Sequence, residues 1–228
     1  MIRIADGGTV PRKGARPPKE LVLAPNTPPV RIKRRKRLAG EARGEALAAA
    51  RTLLLAQGPA AVTLANVGRD IGMSHTNVLH HFGSAAGLQS ALMGSMVRDL
   101  AGALDDAVRH LKTDAAAPSA LVGQVFDAFD GGGAGQLAAW LALERQGDHF
   151  APIGEAVGDL VGAIGETLTT GPGSDARIRD IVLLIALCAF GDAVIGPHLR
   201  GMLGQDEDAG RRLLARILPL LIFAADAD

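Results

Sequence analysis

Hydrophobic positions recur at intervals of three and four along most of the chain beyond residue 38, which is the spacing of a single helix face. Leu47, Ala50, Leu53 and Leu54 mark the inner face of a first helix, from about Leu38 to a stop at Gly58-Pro59. Two short helices follow. Thr63 is placed to cap the first, which runs to Ile71. Gly72 breaks it, and Ser74 caps the second, which ends near Phe82-Gly83. A long helix starts near Ser84 or Ala85 and carries Leu88, Leu92, Met96, Leu100, Leu104, Val108 and Leu111 as one apolar stripe. Pro118 opens a helix with Leu121, Val122, Val125, Phe126 and Phe129 inward, and Gly131-Gly-Gly133 is predicted to be a flexible joint. The next helix holds Leu137, Trp140, Leu141 and Glu144 and stops near Gly147. Pro152 opens one with Ile153, Val157, Leu160, Val161, Ile164 and Leu168, followed by a turn at Gly171-Pro172-Gly173. The last two helices span about Asp175–Leu199 and Asp206–Ala224, with Pro219 expected to kink or end the second. The pattern predicts an all-α protein of about nine helices, with no strand and no internal repeat.

Residues 1–30 lack this periodicity and hold Pro11, Pro17, Pro18, Pro25, Pro28 and Pro29, so they read as a disordered tail. Arg31-Ile-Lys-Arg-Arg-Lys-Arg37 then places six positive charges in seven residues. The expected organisation is a tail with a basic arm over 1–37, a three-helix unit over 38–84 and a larger helical domain over 85–228. The 24 Lys and Arg of the 228 residues balance 24 Asp and Glu. This neutrality is cancellation: residues 1–90 hold 14 basic against 5 acidic residues, a net +9, and residues 91–228 carry the opposite −9. Two halves of opposite sign suggest two jobs.

Composition narrows the classes further. Hydrophobic residues make up 48% of the chain and aromatics only 3%, with no tyrosine, which fits helices rather than sheets. A lone cysteine, Cys188, excludes an internal disulfide and a cysteine-built zinc site. The longest apolar stretch, Ile181 to Phe190, is closed by Asp192, well short of the roughly 20 residues of a membrane span. With no signal peptide visible, the expected address is the cytoplasm, with no membrane partner.

The segment Thr63 to Phe82, T-L-A-N-V-G-R-D-I-G-M-S-H-T-N-V-L-H-H-F, meets the demands of a helix-turn-helix. Two short helices must cross steeply through a three- or four-residue turn, which wants a glycine, and Gly72 is there. The first helix needs a small residue where the second approaches, and Gly68 qualifies. Val67, Ile71, Met73 and Val78 supply a small shared core. After the Ser74 cap come His75, Thr76 and Asn77, short polar side chains suited to base edges.

This run resembles the TetR family of transcriptional regulators, whose usual pattern is close to T-x-x-x-I-A-x-x-A-G-V-S-x-G-x-L-Y-x-H/Y-F-x-x-K-x-x-L. Thr63, Val67, Gly72, Met73, Ser74, Val78, His81, Phe82 and Leu88 stand at matching or conservatively changed positions, and Gly58 sits where the family has a glycine after its first helix. The resemblance covers about Glu45 to Leu92, roughly a fifth of the chain. Leu79 stands where the family usually has tyrosine and Ala85 where it usually has lysine, and in the family both positions tend to touch DNA phosphate. Without these two phosphate partners, binding is expected to be weaker and its salt dependence flatter. Thr76 replaces a common glycine and Gly68 a common alanine. A glycine inside a helix costs about 1 kcal/mol relative to alanine, so the head is expected to be less rigid than usual.

The basic arm compensates in this reading. Arg31, Lys33, Arg34, Arg35, Lys36 and Arg37 follow the phosphates or enter the minor groove, as homeodomain arms do. In the head, Thr63, Ser74, His75, Thr76, Asn77, Leu79 and His80 are the DNA-facing candidates: Asn77 for an adenine edge, His75 or His80 for guanine or phosphate, Leu79 for a thymine methyl. His81 and Phe82 are expected to pack against the long helix. A metal site at His80-His81 is disfavoured, because adjacent helical residues diverge by about 100° and no third ligand is near.

For the remaining two thirds, the resemblance implies a small-molecule effector and a homodimer formed through the last two helices. The residues agree: the Ile181 to Phe190 helix is apolar all round, and Leu213, Leu214, Ile217, Leu220, Leu221 and Phe223 follow in the last helix. An ordinary monomer core is the plain alternative. Phe126, Phe129, Trp140, Phe150 and Phe190, most of the aromatics, are the candidate ligand-binding set. Glu144, Arg145, Asp148 and His149 offer polar recognition or simply a wet surface. The function expected is a ligand-responsive regulator, a repressor on a palindromic double-stranded operator, with no cofactor. The alternatives are a helical ligand-binding or adaptor protein whose head binds DNA weakly, or an enzyme on a helical scaffold. No nucleophile motif, phosphate loop or metal spacing supports the last, and the glycines at 131–135 follow a helix, not a strand.

Overall fold

The structure, a computed structural model, describes residues 39–144, 151–168 and 174–223. These form nine α-helices: α1 (Ala39–Gln57), α2 (Leu64–Asp70), α3 (His75–Phe82), α4 (Ala85–His110), α5 (Ala117–Phe129), α6 (Ala134–Glu144), α7 (Ala151–Leu168), α8 (Ser174–Leu203) and α9 (Ala209–Phe223). A single 3-10 turn, Pro59–Ala61, joins α1 to α2. No strand occurs among the described residues, so the chain is all-α there. None of these helices is long and apolar enough to cross a membrane.

Three successive hydroxyl caps define the helices of the head. Thr63 accepts from the Asn66 amide at 3.2 Å, Ser74 from the Asn77 amide at 3.2 Å, and Ser84 from the Gly87 amide at 2.9 Å. Each satisfies a donor that the first helical turn leaves free. Between α2 and α3 the backbone turns through Gly72, whose φ of 66° lies in the left-handed region that glycine adopts without penalty.

The helices bury two cores. The first is built by Ala46, Ala50, Leu53 and Leu54 of α1, Val67 of α2, Val78 and Phe82 of α3, the α4 residues Leu88 to Met96, and Leu137 and Leu141 of α6. The second gathers Leu104 and Val108 of α4, Leu121 to Phe126 of α5, Leu160 of α7, Ile185 and Ala189 of α8, and Leu214 and Leu218 of α9. Long α4 therefore serves both cores with one stripe, first half to the first core and second half to the second. Phe129, at the end of α5, packs against both. Where α7 crosses α4, Gly94 meets the Pro152 carbonyl; a Cβ there would lie 2.6 Å from that oxygen, so only glycine permits the approach.

Two expectations need correction and a third is narrowed. Residues 131–133 are a hydrogen-bonded turn, not a flexible joint: the Gly132 amide donates to the Asp127 carbonyl at 2.8 Å and the Gly133 amide to the Asp130 carbonyl at 3.0 Å. Gly133, at φ 80°, is packed under α1, where an added Cβ would meet Leu54 and Leu55 at 3.2 and 3.1 Å. Helix α8 does not end at Leu199 but runs through Pro197 to Leu203. A mostly buried ion pair between Asp192 and Arg200 spans the proline. Of the two outcomes expected at Pro219, an end is excluded: α9 continues through it to Phe223, close to the expected Ala224. A proline inside a helix costs about 3 kcal/mol, and burial of Leu214 and Leu218 in the second core opposes that cost.

Candidate functional site

Helix α3 presents two faces. Val78 and Phe82 point into the first core, and Val78 is fully covered. His75, Thr76, Asn77, Leu79 and His80 are exposed, with Leu79 38% accessible. Positions 75, 76, 79 and 80 lie one turn apart on the same side, so the polar candidates and Leu79 form one outward surface. The chain stops turning at Gly83, and Ala85, also exposed, opens α4 beside it.

The approach of α3 to α2 depends on Gly68. A Cβ at this position would lie 2.7 Å from the Met73 carbonyl oxygen and 3.4 Å from a Val78 methyl. The glycine that costs helix propensity is therefore what lets the two helices close. Thr63 and Ser74 spend their hydroxyls on capping; Thr63 is half-buried, whereas Ser74 is exposed beside the outward surface of α3.

Further contacts position this surface without being evident in the sequence. Arg43 of α1 donates from Nη1 to the His81 carbonyl at 2.6 Å, with its guanidinium 4.5 Å above the Phe82 ring. This holds the end of α3 against α1. Asn66 donates to the Ala61 carbonyl at 2.9 Å and accepts from Arg69 at 2.6 Å, fixing the entry to α2. Buried Gln89 of α4 donates to the Val62 carbonyl at 3.1 Å, tying α4 to the residue before the Thr63 cap. His81 is half-buried beside the rings of His80 and Phe82, and Phe82 packs in the core with Leu88 and Leu92.

The electrostatics of this surface differ from the charge of the N-terminal half as a whole. Residues 39–90 hold Arg43, Arg51 and Arg69 against Glu41, Glu45 and Asp70, a net charge of zero. All three arginines have partners within the fold: Arg43 and Arg69 as above, and Arg51 in an ion pair with Asp99 at 2.8 Å. The whole +9 of residues 1–90 thus resides in residues 1–38. The arm residues Arg31, Lys33, Arg34, Arg35, Lys36 and Arg37 lie there, outside the described residues.

The aromatic set is dispersed. Phe126 is buried in the second core and also borders a groove of about 770 Å³ between α8 and α9. Phe129 lines a separate, half-open cavity of about 940 Å³ between α4, α5, α7, α8 and α9. Trp140 and Phe190 are half-buried and line neither. Phe150 lies outside the described residues, as do Arg145, Asp148 and His149. The cavity wall is aliphatic instead, from Val97, Leu100 and Leu104 of α4 round to Ile181 and Ile185 of α8. Of these, sequence reasoning placed Leu100 and Leu104 on the apolar stripe of α4, assigned the Ile181 to Phe190 stretch to the dimer interface and did not single out Val97.

Helices α8 and α9 also leave an apolar row uncovered, including Leu183, Leu187, Ile195 and Leu199 on the first and Leu213 and Leu220 on the second. Leu187 is 59% and Leu213 58% accessible, which is unusual for side chains of this size in such number. Cys188 sits beside this row, and partial burial pushes its thiol pKa up.

No curated protein matches the chain. Residues 46–92, from mid-α1 to the second turn of α4, match the family of bacterial regulatory proteins described as the tetR family. That segment coincides with the capped α2 and α3, the close approach at Gly68 and the exposed face of α3: the chain carries the N-terminal helix-turn-helix domain of the TetR family and is a DNA-binding transcriptional regulator.

Proposed function

We propose that the protein is a repressor that binds a palindromic operator as a homodimer and is released by a small molecule. The observation that supports this most directly is the uncovered apolar row on α8 and α9, remote in sequence from an outward-facing α3. Pairing two copies through that row buries what one chain leaves wet and gives a two-headed molecule, and a symmetric dimer reads a symmetric site. Two recognition helices must stand about 34–36 Å apart to enter successive major grooves. An effector that displaces α4 changes that spacing and lowers affinity, a coupling between two sites.

In this reading residues 1–37 are the tail and arm, 38–84 the DNA-binding unit and 85–228 the effector and dimer domain. His75, Thr76, Asn77, Leu79 and His80 face the bases, with Thr63 and Ser74 at the phosphate margin. Arg31, Lys33, Arg34, Arg35, Lys36 and Arg37 supply the phosphate contacts, because the head itself carries no net charge and its arginines are engaged. No catalytic role is assigned, and the site of action is the cytoplasm.

The test is binding of the full chain to its own promoter DNA across a range of salt, with sedimentation to give the oligomeric state. Arg34→Ala with Arg35→Ala should weaken binding and reduce the salt slope by about 2, near 0.9 for each phosphate no longer neutralised. Leu187→Glu should yield monomers that bind weakly. Absence of any preference for promoter DNA at every salt sinks the repressor reading and leaves a helical adaptor, for which the exposed Leu79 and Ala85 in place of phosphate-binding side chains speak.

A further inference from the structure

We propose that the cavity between α4, α5, α7, α8 and α9 takes a saturated aliphatic chain bearing one polar head group. The inference deepens the effector reading above and rests on it. The cavity of about 940 Å³ falls in the size range of small-molecule sites. Its wall chemistry is one-sided. Apart from Phe129 and three charged residues, every lining side chain is aliphatic or absent, and no hydroxyl or amide side chain lines it among the described residues. A ligand with several hydrogen-bonding groups along its length would leave them unpaired there, which opposes binding. A flat polycyclic ligand would find only one ring, Phe129, to stack on.

The three charged residues stand together at one end. Glu166 is in the last turn of α7, and Asp175 and Arg179 are in the first turns of α8, the next helix in the chain. The cavity therefore has an apolar body and a single polar end, which suits an amphiphile with its head at that end. The α7 wall adds a shape. Gly154, Gly158 and Gly162 line the cavity at four-residue intervals along its solvent-open side, and a Cβ on any of them would meet nothing within 4 Å. At about 1.5 Å of rise per residue the three mark a trough roughly 12 Å long with no side chain in it, wide enough in its bareness for an extended methylene chain.

These glycines also provide the test. Decanol, dodecanoate and dodecyltrimethylammonium, each below its micellar concentration, are titrated calorimetrically into the full-length protein without DNA, with acridine as the planar comparison. At least one alkyl probe should bind at one equivalent per chain and more tightly than acridine. Gly158→Leu and Gly162→Leu, made separately, fill the trough from its own wall. Each should weaken the alkyl probe roughly tenfold, the equivalent of about two methylenes kept out. Either variant suffices if the other fails to fold, and the wild-type comparison with acridine stands without them. The inference is overturned if no alkyl probe binds, if acridine binds more tightly, if uptake exceeds one equivalent, or if a folded variant binds the alkyl probe as well as wild type. Promoter DNA is then added. An alkyl probe that binds yet leaves DNA bound refutes the release reading and keeps the ligand class. Release by acridine without alkyl binding does the reverse.

Discussion

Around α1, α2, α3 and the first half of α4 the packing is closed, and around α7, α8 and α9 it is left open. Of the large side chains that are wholly covered, Leu54, Val62, Val67, Val78, Leu88, Leu92 and Leu137 belong to the first core, but just Val122 and Leu218 to the second. The second core borders a cavity and an uncovered apolar row. The difference follows from what each must do. A recognition helix reads bases only if its side chains are held still, so its support must be complete. A region that accepts other molecules needs apolar surface that its own chain does not use. Helix α4 spans the two, and its Val97, Leu100 and Leu104 line the cavity just beyond the residues that hold the head.

The comparison breaks most visibly by truncation. Leu54→Ala should cost about 2–5 kcal/mol, toward the upper end because closed surroundings cannot collapse into the void. Ile185→Ala, in the second core beside the cavity, should fall toward the lower end, since its neighbours already have room to move. Denaturant unfolding of both variants measures this, and equal losses would mean that the two cores are packed alike. Next comes the buried amide of α4. Gln89→Leu strands the Val62 carbonyl and should cost about 1–3 kcal/mol. Because that carbonyl precedes the Thr63 cap, DNA affinity should fall with it while alkyl binding in the cavity is kept.

The glycines sharpen the contrast through sign. Gly68→Ala gains about 1 kcal/mol of helix propensity but drives a Cβ to 2.7 Å from a backbone oxygen. Overpacking of this kind costs typically about 1–3 kcal/mol, so the net effect should be destabilising, with weaker DNA binding. Gly158→Ala meets nothing within 4 Å and should stabilise by up to about 1 kcal/mol. Thermal unfolding of the two decides it, and the same sign for both would remove the distinction between a closed and an open region.

What the sequence disclosed divides along the same line. Most helix bounds, the Thr63 and Ser74 caps and the α4 stripe are local, set by residues within a few positions of one another, and they were legible; Ser84 was read as a helix start and not as a cap, and the run of α8 through Pro197 to Leu203 was not foreseen. The tight fit at Gly68 was legible as a small residue near a turn. Arg43 to His81 and Gln89 to Val62 join residues 38 and 27 positions apart, and no local pattern announces them. The cavity was misread for a related reason: aromatics suggest pockets, yet Trp140 and Phe190 line neither the cavity nor the groove, and the cavity wall is made of valines, leucines and isoleucines indistinguishable in sequence from core. The charge asymmetry was visible, but it took the partners of Arg43, Arg51 and Arg69 to show that the head has no free arginine of its own to give.

The smallest effect expected is at the connection between α8 and α9. Asp206 accepts from Arg212 at 2.6 Å and from the Asp208 amide at 3.0 Å. The hydrogen bond from the Arg212 side chain holds its carboxyl below the usual value of 3.8, with the Asp208 amide adding to the effect. A carboxylate whose pKa is lower in the folded chain stabilises the fold at pH values above the unfolded value, and that contribution fades as pH falls through the folded value. Asp206→Asn should therefore narrow its difference from wild type below about pH 4. Both side chains are well exposed, so solvent screens the pair and the gap at neutral pH should be close to the limit of a thermal melt. A large, pH-dependent loss would mean that this connection braces α9 more firmly than its exposure indicates, and that the open half of the molecule is held by more than its partial core.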